Sequence, residues 1–81
     1  MKNPAGVKAF GLHLRALREA KHLSLQQIAD TANLDKSTVH RIELGIASPR
    51  LDALISLSRA LEISIKDLMD NPAITDSDNG M

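Results

Sequence analysis

The chain has 81 residues, 43% hydrophobic and 25% charged, with a single aromatic, Phe10, and no cysteine, which suits one soluble domain built on an aliphatic core. Disulfides, thiolate metal sites and cysteine nucleophiles are excluded, no apolar run approaches the roughly 20 residues that span a bilayer, and no secretory leader pattern stands at the amino terminus, so the expected location is cytoplasmic and no membrane is involved. The formal net charge is zero, yet residues 1–50 carry eight Lys and Arg against four Asp and Glu while residues 51–81 carry two against six, which points to one basic face.

Val7, Phe10, Leu14 and Leu17 recur at spacings of three and four, the stripe of a first helix from Pro4 or Ala5 to Lys21. Three later helices open on one device, an apolar residue, a side-chain cap, and an apolar residue inside the helix: Leu23, Ser24 and Ile28; Leu34, Asp35 and Val39; Ile63, Ser64 and Leu68. Each set is a hydrophobic staple, and Ser24 with Gln27 and Ser64 with Asp67 also have capping-box spacing. Ser48 and Pro49 mark the approach to another helix, capped by Ser48 or Arg50, whose stripe reads Leu51, Leu54, Ile55, Ser58 and Leu61. The expected architecture is all-α, five helices at about 5–21, 25–32, 36–44, 51–61 and 65–70, forming one domain over residues 1–70. Residues 71–81, "NPAITDSDNGM", read as a flexible acidic tail.

Only Asn33 and Leu34 separate the second and third helices, so the chain must reverse within one or two residues. A left-handed residue ends a helix most economically, and asparagine tolerates that conformation best after glycine. Ala29, four residues earlier, permits close approach, and Ile28, Ala32, Leu34, Val39 and Ile42 supply inward contacts. Lys36, Ser37, His40 and Arg41 are left facing outward together.

The stretch "LQQIADTANLDKSTVHRIE" resembles the helix-turn-helix of the Cro and phage-repressor family of DNA-binding transcriptional regulators, also called the xenobiotic response element family. The resemblance extends through "FGLHLRALREAKHLS" to the first helix and through "RIELGIASPRLDALISLSRALEISIKDLM" to the last two, roughly residues 8–70. It implies a compact five-helix, lambda-repressor-like domain whose third helix enters the major groove while the second crosses the backbone. On that likeness Lys36, Ser37 and Arg41, with His40 beside them, are candidate base contacts; arginine and lysine can donate to guanine O6 and N7. Asp35 fits a helix cap better than a base reader. Ser24, Gln26, Thr38 and Arg50 are candidate backbone contacts. The sequence departs from the family at Leu25, where a phosphate-touching glutamine is frequent, in "GIASP", which lacks a frequent lysine, and at His22, where glycine is frequent.

The resemblance also accounts for Glu43, an acid at the end of a helix facing DNA: it implies a partly buried structural ion pair with Arg18. His13, His22 and His40 share no helix face with supporting carboxylates, so no metal is expected. No catalytic constellation or glycine-rich phosphate loop stands out; the chain reads as no enzyme, with no cofactor. One recognition helix reads few base pairs, so a homodimer on an inverted repeat is expected, with Ile65, Leu68 and Met69 as candidate interface residues. The contending reading is a protein-interaction module, antitoxin-like or adaptor, in which a protein partner meets the last helix or the acidic tail.

Overall fold

The computed structural model describes residues 4–75, which form α1 (Pro4–Ala20), α2 (Leu25–Ala32), α3 (Lys36–Glu43), α4 (Leu51–Leu61), α5 (Ile65–Leu68) and α6 (Pro72–Thr75), with no strand among them. Four of the helices end alike. After α1, the amide of His22 donates to the Glu19 carbonyl and that of Leu23 to Arg18; after α2, Asn33 donates to Asp30 and Leu34 to Ala29. After α3, Gly45 donates to Ile42 and Ile46 to Arg41; after α4, Glu62 donates to Arg59 and Ile63 to Ser58. These are Schellman closures, which require a left-handed residue at the penultimate position. His22 (φ 59°), Asn33 (58°), Glu62 (60°) and Gly45 (77°) occupy it.

At three of these junctions the same apolar residue that closes one helix precedes the cap of the next: Leu23 before Ser24, Leu34 before Asp35, Ile63 before Ser64. All three pack against the core that holds Ile28, Val39 and Leu68. A three-residue unit of left-handed residue, apolar residue and cap thus turns the chain three times. Ser24 and Gln27 complete a reciprocal capping box, and Ser64 Oγ accepts from the Asp67 amide. Asp35 holds the cap position of α3 with extended backbone, but its carboxylate makes no capping bond. Arg50 holds that of α4, also without a side-chain bond.

Leu14, Ile28, Val39, Ile42, Leu57, Leu61 and Leu68 are fully enclosed; burying a side chain of this size stabilises by about 1.5–3 kcal/mol. The helices pair as α1 with α3 and α6, α2 with α3 and α4, and α4 with α5. α4 corrects the expected stripe: Leu51 is 70% exposed and Ile55 37%, whereas Ala53 and Leu57 face inward with Ser58 and Leu61. The helix is apolar on two faces, so periodicity alone does not choose between them.

The carboxy-terminal expectations also change. α5 stops at Leu68, and Leu68 is wholly inside the chain's own core, which removes it as an interface residue; Met69 is half-buried against that core, while Ile65 is 37% exposed. The expected tail begins later than Asn71, because α6 lies on α1 with Ile74 buried. Its remaining acidic part, residues 76–81, lies outside the described residues. Asn71 anchors this turn by accepting from the Ala73 amide at 2.9 Å and approaching His13 Nδ1 at 3.5 Å.

Candidate nucleic-acid interface

Asn33 decides how α3 is presented. With φ 58° and ψ 45° it ends α2 abruptly, and α3 starts after only two more residues. Val39, Ile42 and Glu43 are then buried, and Lys36, Ser37, His40 and Arg41 are exposed, with Thr38 half-buried at their edge. Helical spacing arranges the outward side chains in two rows, Lys36–His40–Leu44 and Ser37–Arg41. Leu44, 49% exposed, extends the first row beyond the residues read from the sequence. Its spacing of four from His40 was the available signal.

The start of α2 is the other half of the surface. Gln27 donates its amide to Ser24 Oγ at 3.0 Å and returns its side-chain oxygen to the Ser24 amide at 2.8 Å. The capping box therefore uses two amides and leaves those of Leu25 and Gln26 without an acceptor in their own helix. Such free amides, at the positive end of a helix, suit a phosphate. Ser24 keeps a hydroxyl proton to give. Gln26 is held by its bond to Asp30 Oδ1 at 2.7 Å. Arg50 is highly exposed and its Nε lies 3.9 Å from Asp52 Oδ1, too far for a hydrogen bond and open to an external anion.

Behind this surface Arg18 and Glu43 meet. Arg18 Nε donates to Glu43 Oε2 at 2.7 Å, Nη2 to Oε1 at 3.1 Å, and Nη1 to the Leu23 carbonyl at 2.8 Å. One guanidinium joins α1, the α1–α2 junction and the end of α3. Bonding to Glu43 raises the already high Arg18 pKa against the opposing effect of burial, so the cation persists at every pH below the arginine range. α3 is fixed from behind while its outer face stays free.

Among the described residues no group of three or more His, Asp or Glu could hold a metal ion, and no helix is long and apolar enough to cross a membrane. The sequence profile described as helix-turn-helix matches residues 14–68. The chain belongs to the Cro/C1-type helix-turn-helix family of DNA-binding transcriptional regulators. It is similar to the restriction-modification controller protein C.AhdI from Aeromonas hydrophila, with 40% identity and a TM-score of 0.73 over 78% of this chain and 94% of that one. It is similar also to the competence regulator ComR from Streptococcus vestibularis in its apo form, with 31% identity and a TM-score of 0.75 over 82% of this chain and 22% of that one. An uncharacterised helix-turn-helix-type transcriptional regulator of Mycobacterium tuberculosis is 29% identical over 58 residues, which are 72% of this chain and 41% of that protein. The chain thus spans less than half the length of that curated relative, and nearly all of the controller protein.

Proposed function

We propose that the protein is a sequence-specific DNA-binding regulator that reads an inverted-repeat operator as a homodimer and represses by occupying a promoter. One observation carries the reading: the left-handed turn at Asn33 exposes Lys36, Ser37, His40 and Arg41 together on α3 while Arg18 and Glu43 hold that helix from behind. Arg41 and Lys36 supply the guanine-directed donors, each good contact being worth about 1–3 kcal/mol of discrimination. Ser37 reads less selectively. The start of α2, with Ser24 and Gln26, and Arg50 and Thr38 hold the flanking phosphates and set the register.

A pair of such helices must be held about 34 Å apart to meet successive major-groove faces. Ile65 and Met69 of the α5 region, joined by the exposed Leu51 and Ile55 of α4, offer the apolar surface for a second copy. The match to 94% of a restriction-modification controller protein, at 40% identity, supports the regulator reading.

The deciding experiment is selection of bound sequences from a randomised duplex pool, with the wild type and Arg41→Ala at two salt concentrations. An enriched inverted repeat, relaxed at one base position by the substitution, is expected. Retention governed by salt alone, with no sequence enriched, would turn attention to a protein partner of α5 and the acidic tail.

A further inference from the structure

A crevice of about 140 Å³ opens between α1, the start of α2 and the end of α3, lined by Arg15, Arg18, Leu25, His40, Glu43 and Leu44. Its cations are not equivalent. Arg18 spends Nε, Nη1 and Nη2 on Glu43 and the Leu23 carbonyl, so it serves as wall. Arg15 is more than half exposed and gives only Nε to Glu19, at 3.2 Å; its two terminal nitrogens have no hydrogen-bond partner among the described residues. His40 is exposed on the outer row of α3. Leu25, half-buried, and Leu44, 49% exposed, make the remaining sides apolar.

An arginine and an imidazole set against two leucines match one unit of a DNA strand, anionic phosphate oxygens for the donors and a deoxyribose for the apolar walls. We propose that this crevice seats a backbone phosphate and its adjoining sugar, with Arg15, which lies on α1 outside the α2–α3 pair, as the main donor and His40 as the second. The inference rests on α3 being the helix that enters the groove, because the strand crossed by α2 then runs along the crevice mouth. Leu25, the first residue of α2, has a backbone amide but no side-chain donor, and Arg15 supplies from α1 the charge that the leucine side chain lacks. Glu19 acts as its tether and competitor.

The test is ethylation interference on a duplex recovered by wild-type selection, with Arg15→Gln, Glu19→Gln and, as a control of equal charge change on α4, Arg59→Gln. Arg15→Gln should remove one interfering phosphate per half-site, weaken binding several-fold and lower the salt slope by about one. Glu19→Gln should keep that phosphate and tighten binding. Unchanged melting temperatures in all three would exclude unfolding as the cause. The proposal is overturned if Arg15→Gln keeps the full interference pattern and salt slope, or if Arg59→Gln loses the same phosphate. If the wild type enriches no sequence, the DNA reading itself has failed and this site goes with it; a wild type that binds normally beside an indifferent Arg15→Gln sinks the crevice alone.

Discussion

Arg18 and Glu43, 25 residues apart in the chain, are joined by two hydrogen bonds at side-chain exposures of only 11% and 4%. A pair this buried is worth little against a well-packed apolar replacement, yet removing one member leaves a charge uncompensated, at about 3–5 kcal/mol. Glu43→Ala and Arg18→Leu should each lose most of the stability of so small a domain, Arg18→Leu also orphaning the Leu23 carbonyl. The double replacement by leucine should recover a large part. Urea unfolding of the four proteins checks this; single variants within about 1 kcal/mol of wild type would contradict the assigned burial.

Gly11 sets the distance between α1 and α3. A Cβ there would stand 2.4 Å from the Ile42 carbonyl oxygen and 2.6 Å from that of Glu43, both backbone atoms that cannot rotate aside. Gly11→Ala should therefore destabilise by about 1–3 kcal/mol or more despite the better helix propensity of alanine. Because α3 must shift to admit the methyl group, DNA binding should weaken beyond what the unfolded fraction explains. A melting curve paired with a binding titration separates the two effects.

Glu62 ends α4 at φ 60°, a conformation that costs a residue with a side chain roughly 1–2 kcal/mol. Glycine relieves that strain but gains freedom in the unfolded chain, so Glu62→Gly should stabilise by a net of about 0.5–1 kcal/mol. His22→Gly should act similarly at φ 59°. Asn33→Gly should change little, since asparagine already tolerates the conformation, whereas Asn33→Val should be strongly destabilising. Thermal denaturation orders the four variants.

Leu68 and Ile65 stand three residues apart and should respond in opposite ways. Leu68 is fully enclosed, so Leu68→Ala should lower stability by about 2–5 kcal/mol. Ile65 and Ile55 are each 37% exposed, so Ile65→Asp and Ile55→Asp should leave the monomer folded and weaken the self-association proposed above. Sedimentation equilibrium beside a melting curve tells these outcomes apart. A Leu68→Ala protein that melts normally but becomes monomeric would return that residue to the interface.

The sequence by itself determined the helix junctions and the direction in which α3 faces. Leu23–Ser24, Leu34–Asp35 and Ile63–Ser64 act within one helical turn, and Asn33 meets a need set by two neighbouring helices, so local chemistry suffices to place them. Tertiary structure decided what depends on a distant neighbour. α4 carries apolar residues on two faces, and only the positions of α2 and α5 select Leu57 over Leu51 and Ile55 for the core. Gly11 looks like a weak helix residue until the α3 carbonyls are placed against it. Ile74 lies in a stretch of proline and small polar residues that reads as a tail, and the surface of α1 gives it somewhere to bury. Arg15 is an ordinary solvated arginine in the sequence, and it lines a crevice only because the end of α3 is drawn beside α1 by Arg18 and Glu43. Caps and turns act over a few residues, whereas burial is set by whatever the fold brings alongside.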